Sequence, residues 1–295
     1  MTLLERCRKG EILVADGAMG TMLFERGLRP GMSPESFLLS HPETVREVSR
    51  EFLEAGADIL HTNTFGGSPL KLAEFGLADK TGEINWVGAK IVREVAGGSA
   101  IVAGSCGPSG QFMEPYGDIS QAEMRDNFKR QVEALVEGGI DVLTIETMMD
   151  VREATVAIQA AKEVAADLVI IASMTFDETS RGFYTVMGTN IEEAAEALEE
   201  TGADIVGSNC GDGIEKMVKI AKAFRSVTSL PVLIQSNAGK PEAGSGGLSY
   251  PESPGFFTEH VAALVELGVA IIGGCCGTTP AHIHVIREMV DRAKL

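Results

Sequence analysis

Three of the five cysteines in this 295-residue chain stand where short apolar runs stop. Cys210 closes the run in GSNCGDG, and Cys275 and Cys276 close VAIIGGCCGTTP, which spans Val269 to Pro280. Thiolates are soft ligands, and three of them suit zinc. Three protein ligands on a tetrahedral ion also leave one position for a substrate, the arrangement of a catalytic rather than a structural site. Gly211, Gly273, Gly274 and Gly277 flank the cysteines and let the backbone bend around an ion. Successive strand residues point to opposite faces, so Cys275 and Cys276 ligate together only if the strand is already turning, as GGCCGTTP suggests. No CxxC unit supports the assignment, and the competing reading is that cysteines are small buried apolar residues. That reading is preferred for Cys7 and Cys106, although Cys106 also lies at a strand end.

The chemistry such a zinc site performs is thiol activation. A free thiol titrates near about 8.5, so little of it is nucleophilic at neutral pH, whereas a metal-bound thiol is deprotonated. A thiolate held in this way is suited to alkyl transfer. Other apolar runs end in polar residues that could share the site: Asp16, Asn63, Glu146, Thr175, Asn209 and Asn237. Asp16 and Glu146 suit an ammonium group, and the amides of Gly17, Ala18 and their neighbours in GAMG suit a carboxylate. Together they would hold an amino acid with its thiol toward the metal. Asp16 and Asn237 also read as turn formers; Glu146, set in an apolar run, needs a partner.

These residues must be gathered by a fold, and the alternation of the sequence specifies one. Eight apolar, β-branched runs start near Ile12, Ala57, Ala100, Val142, Leu168, Asp204, Pro231 and Val269. Continuous apolar runs suit strands buried on both faces. Amphipathic segments separate them. PETVREVSREFLEAGAD places Val45, Val48, Phe52 and Leu53 on one helical face, and three further segments end in glycine just before the next strand. The recurring glycine, apolar residue and Asp or Ala reads as a helix stop followed by a strand start. Eight such units predict a single α/β domain over residues 1–295, a (β/α)8 TIM barrel, with an open doubly wound sheet as the alternative. Residues 66–99, around Trp86, read as helical. The long Gly/Pro-rich segments Gly107–Ser120 and Gly239–Gly255 follow the third and seventh strands, where barrels carry substrate-facing loops.

Composition narrows the function classes. A net charge of −17 argues against nucleic acid and against an anionic membrane as partner. No run approaches the roughly 18 apolar residues of a membrane-spanning helix, and MTLLERCRKGEILVADG does not read as a signal peptide. The expectation is a cytoplasmic protein with reduced thiols.

The segments ADGAMGTMLFERG, HTNTFGGS, GPSG, IETMMD, SMTF, SNC, SNAGKP and GGCCGTTPAHI, in this order, resemble the homocysteine S-methyltransferase family. Within it, they are most similar to the homocysteine-binding module of cobalamin-dependent methionine synthases. The resemblance runs from about Leu13 to Arg287. It implies a barrel with zinc on Cys210, Cys275 and Cys276, homocysteine's amino group at Asp16 and Glu146, and Asn237 near the metal. It implies methyl transfer to homocysteine, giving methionine, from a methyl-corrinoid (methylcobalamin) donor. The donor would be presented by a partner protein or by a folate/cobalamin module beyond the segment in hand. S-methylmethionine or S-adenosylmethionine as donor, a corrinoid-linked methyltransferase acting on another thiol or methyl compound, and a non-catalytic zinc- or thiol-binding subunit are the alternatives. Betaine is disfavoured, because Gly66 follows Phe65 where that branch carries a further aromatic residue for cation–π contact.

Overall fold

The computed structural model describes residues 1–244 and 247–293, which leaves Ser245 and Gly246 of the expected Gly239–Gly255 loop outside the described residues. Each of the eight apolar runs contributes a strand: β1 Leu13–Val14, β2 Ile59–His61, β3 Ile101–Cys106, β4 Val142–Met148, β5 Val169–Met174, β6 Ile205–Cys210, β7 Val232–Ser236 and β8 Ile271–Gly274. All pair in parallel, each with its neighbour in sequence, and β1 pairs with β8. The remaining seam, β1 to β2, closes through a parallel bridge between Ala15 and Ile59 and the bond from Asp16 N–H to the Ile59 carbonyl, 3.0 Å. The molecule is therefore a (β/α)8 barrel, as the alternation predicts.

Period-two alternation sorts the strand residues into two cores. Leu13, Ile59, Val142, Ile171, Ile205, Leu233 and Ile271 point into the lumen and pack with Leu3. Their neighbours Val14, Leu60, Leu143, Ile170, Val206, Val232 and Ile272 point outward and join the helical faces. Each fully buried aliphatic side chain of this kind contributes roughly 1.5–3 kcal/mol. Helix Pro42–Glu54 buries Val45, Val48 and Phe52, as its periodicity predicts, while Leu53 is half-buried. Helices Gln121–Gly138 and Ile191–Thr201 stop at Gly139 and Gly202, both left-handed. Residues 66–99 contain helix Thr81–Ala96 and the short helix Pro69–Ala73.

Several short elements escape the period analysis. Helix Leu3–Arg8 seals the lumen from below, and its signal is the capping box formed by Thr2 and Glu5. A hairpin of Asp177–Thr179 and Gly182–Tyr184 extends the loop after β5; its strands are too short and too exposed to register as apolar runs.

The helix-stop motif carries more information than punctuation. Its aspartates, Asp58, Asp141 and Asp204, each accept the backbone N–H of the preceding strand: Val14 at 2.9 Å, Val102 at 2.8 Å and Ile170 at 2.9 Å. They lock β1 to β2, β3 to β4 and β5 to β6 in register. Each is charge-compensated: Asp58 by Arg6 and Arg287, Asp141 by Arg93 and Asp204 by Lys162. Among the described residues no helix is long and apolar enough to cross a membrane.

Candidate functional site

At the carboxyl-terminal end of the strands lies a cavity of about 390 Å³. It is lined by Cys210, Cys275 and Cys276, by Asp16, His61 and Glu146, and by residues Gly17 to Thr21. The three sulfurs come together as their sequence context predicts. Cys210 Sγ is 3.2 Å from Cys275 Sγ and 4.0 Å from Cys276 Sγ, and all three lie within 4.8 Å of one another. The sulfurs are free thiols. A tetrahedral zinc with bonds of about 2.3 Å places its sulfur ligands about 3.8 Å apart, so this donor set fits zinc in chemistry and in spacing. Among the described residues it is the one cluster of three or more cysteine, histidine or carboxylate groups so disposed.

The backbone explains how two adjacent cysteines serve one site. β8 ends at Gly274, and Cys275 N–H still bonds the Ser236 carbonyl of β7 at 2.7 Å. The chain then turns: Thr278 N–H and Oγ1 both bond the Cys275 carbonyl, at 3.1 and 2.7 Å. Gly277 is left-handed at φ +78°, and a Cβ there would run into the ring of Tyr250. Cys210 itself is left-handed at φ 67°, an uncommon conformation outside glycine that swings its sulfur toward the other two.

Crowding of the three sulfurs drives their proton affinities apart. Hydrogen bonds from the Cys210 and Cys275 thiols, helped by the Tyr250 hydroxyl and opposed by burial, hold the Cys276 thiol down at about 3. Cys275 is pushed well up by its hydrogen bonds to Cys210 and Cys276 and by burial. Cys210 has a lowering bond to Cys275, but its bond to Cys276 and burial outweigh it and push it up. A cation bound by the three sulfurs would favour their thiolate form and release protons. Tyr250 lies in the long segment after β7, where pattern analysis gives no spatial information.

The carboxylates have partners that the sequence reading did not name. Asp16 Oδ2 accepts the His61 backbone N–H at 2.7 Å, and Asp16 Oδ1 is 2.7 Å from His61 Nδ1. His61 Nε2 is 3.1 Å from Thr144 Oγ1. Burial lowers the imidazole pKa, but Asp16, with Glu146 beyond it, outweighs this and raises it to about 9. The signal for His61 was available, since period-two alternation places Ile59, His61 and Asn63 on one face. Glu146 Oε1 accepts from Ser105 Oγ at 2.5 Å. Burial is the main reason its pKa is raised; His61 and Ser105 pull it down, and Asp16 and Cys276 add to the rise.

The remaining expected residues divide. Gly17 and Ala18 line the cavity, but Ala18 N–H donates to Thr278 Oγ1 at 3.3 Å, which ties this loop to the cysteine turn. Asn63 lines the cavity and donates to the Pro34 carbonyl at 2.8 Å. Asn237 is buried, donates to the Gly211 carbonyl at 2.7 Å and is not among the cavity-lining residues. Thr175 bonds the Asn209 carbonyl at 3.1 Å. Cys106 is fully buried against Gln131, and Cys7 packs below the lumen.

Comparison with known proteins agrees with this geometry. The profile of the family described as homocysteine S-methyltransferase matches residues 13–290. The methionine synthase of Mycobacterium tuberculosis (strain ATCC 25618 / H37Rv) is 31% identical over 300 residues, covering 96% of this chain and 25% of that protein. The methionine synthase of Mycobacterium leprae (strain TN) is 30% identical over 298 residues, covering 95% and 24%. The chain thus spans about a quarter of the length of these relatives. Among solved structures, the metallated form of the homocysteine methyltransferase MmuM from Escherichia coli superposes with a TM-score of 0.79 at 24% identity, covering 94% of this chain and 96% of that one. Its oxidised form gives 0.81 at 24% identity, covering 98% and 99%; this likeness concerns the fold. The barrel, the three-cysteine cluster at its rim and the profile match over nearly the whole sequence place the chain in the homocysteine S-methyltransferase family.

Proposed function

We propose that the chain transfers a methyl group to the thiol of homocysteine, giving methionine, with zinc held by Cys210, Cys275 and Cys276. The observation that carries this reading is the convergence of three sulfurs, from the ends of β6 and β8, on the wall of a cavity that also contains Glu146. Zinc bound there would supply the Lewis acidity that keeps a substrate thiol deprotonated at neutral pH.

The chain's own residues bind and orient. Glu146 carries the charge that meets the substrate ammonium, and an incoming cation offsets the burial that now disfavours its ionised form. Asp16 supports this face of the cavity through its pair with His61. The substrate carboxylate is received by the backbone amides of Gly17, Met19 and Gly20, beside the Ala18 amide that Thr278 holds and where helix Met19–Glu25 begins without a side-chain cap. Homocysteine's sulfur then forms a bond to the donor methyl carbon, and the donor's bond to that carbon breaks with its electron pair leaving on the donor.

The favoured donor is a methyl-corrinoid, carried by a partner protein or by a further module of a longer chain. Its support is the resemblance to methionine synthases and the quarter-length span of those relatives covered here. The test is methionine formation by the purified zinc-loaded protein with free methylcobalamin, S-methylmethionine, S-adenosylmethionine and betaine side by side. Turnover with methylcobalamin above the other three supports the reading. Turnover with a sulfonium donor alone reassigns the donor, and binding of homocysteine without turnover from any donor favours a binding module.

A further inference from the structure

The fully buried Asn209, immediately before the first cysteine of the cluster, uses the whole bonding capacity of its side-chain amide. Oδ1 accepts from the Thr147 backbone N–H at 2.7 Å and from Ser173 Oγ at 2.8 Å. Nδ2 donates to Thr147 Oγ1 at 2.7 Å and reaches Cys275 Sγ at 3.8 Å. A backbone N–H can only donate, so it fixes which end of the amide is oxygen.

The residue it grips is itself unusual. Thr147 has φ 59°, and a β-branched residue is a genuine outlier in the left-handed region. It sits in a bulge. Ile145 pairs with Ala172 and Met148 with Met174, so Glu146 and Thr147 together oppose the single residue Ser173. Bulges of this kind re-aim side chains. Successive strand residues should face opposite ways, yet Glu146 and Thr147 both line the cavity. Asn209 spans the bulge from the next-but-one strand, holding Thr147 at both its N–H and its hydroxyl and holding Ser173 across the gap.

We propose that Asn209 is a positioning residue that couples the cysteine cluster to Glu146. It clamps Thr147 in its left-handed conformation so that the bulge aims Glu146 into the cavity, and it donates an N–H to the Cys275 sulfur. Strained backbone of this kind persists only where the surroundings over-determine it. An N–H bonded to a ligand sulfur withdraws charge from it, so one amide sets both the direction of the carboxylate and the donor strength of the cysteine. The inference rests on the proposed homocysteine reading for its substrate, but not for its sulfur contact.

The test uses Asn209→Ala, alone and combined with Thr147→Gly, in protein loaded with Co²⁺ as a spectroscopic stand-in for zinc. Asn209→Ala is expected to retain one metal per chain, because all three cysteines remain. It should weaken homocysteine binding by roughly 10–100-fold and shift the sulfur-to-cobalt charge-transfer band to longer wavelength. Adding Thr147→Gly, which needs no clamp to occupy φ > 0, should return homocysteine affinity toward the parent value and leave the band shifted. A lowered melting temperature with unchanged homocysteine affinity and an unchanged band would overturn the proposal and leave Asn209 a packing residue. If the parent protein takes up Co²⁺ but binds no homocysteine, the functional reading fails, while the band comparison still decides whether Asn209 acts on the sulfur.

Discussion

At the amino-terminal end of the barrel Asp58, Asp141 and Asp204 each accept a strand N–H and pair with a cation. At the carboxyl-terminal end Asp16 is committed to His61, while Glu146 accepts a hydrogen bond from Ser105 and burial raises its pKa. The contrast continues in the backbone. Among the described residues, the two non-glycine residues with positive φ, Thr147 and Cys210, both stand at the upper end. Gln235, which lines the cavity, keeps a buried side-chain oxygen without a partner among the described residues. The lower end spends its polar groups on register. The upper end leaves strain and incompletely matched charge where a substrate can relieve them.

The largest break in this comparison is at the metal ligands. Cys275→Ala should lose zinc and methyl transfer to background while circular dichroism reports an intact barrel; full activity would remove the zinc assignment. Next is Glu146→Gln, which exchanges a charged partner for the substrate ammonium for a neutral one. A charged hydrogen bond contributes about 1.5–3 kcal/mol, so KM for homocysteine should rise roughly 10–100-fold. The same substitution should stabilise the ligand-free protein at pH 7. A carboxyl with a raised native pKa holds its proton more tightly when folded. Its contribution to stability is therefore present below about 4.5 and is lost as pH rises through the raised value. Thermal melts of parent and variant should diverge at neutral pH and converge toward pH 4.

Asp58→Ala acts at the other end. It strands the Val14 N–H and leaves Arg6 with Glu11 and Arg287 with Asp291 in place of shared carboxylates, at a cost of about 1–3 kcal/mol by denaturant unfolding. Homocysteine KM in the folded protein should not move, and a shift of tenfold would erase the distinction between the two ends. The smallest effect is a pH dependence. His61, raised to about 9 against an ordinary value of 6.5, contributes stability that is complete below 6.5 and lost as pH rises through about 9. The melting-temperature gap between the parent and His61→Gln should narrow across that interval.

What the sequence discloses follows the same division. The eight strands, the major helices and the convergence of Cys210 with Cys275 and Cys276 are legible because they depend on periodicity, glycine stops and strand-end position, which are local properties. The aspartates of the helix-stop motif were visible as punctuation, but their bonds to the neighbouring strand need the closed barrel. His61 was on the face that alternation already assigned to Asn63, so it was within reach. The grip of Asn209 on Thr147 was not, since a bulge between two strands and a left-handed threonine leave no periodic mark. Tyr250 and the hairpin after β5 lie in loops whose course is set by tertiary contact.

The central claim, that three sulfurs from β6 and β8 hold one zinc and present it to the substrate thiol, is tested most directly by X-ray absorption at the zinc edge before and after homocysteine is added. The account predicts three sulfur ligands in the free protein and four in the complex. A sulfur count that stays at three, or that starts at two or fewer, would contradict it.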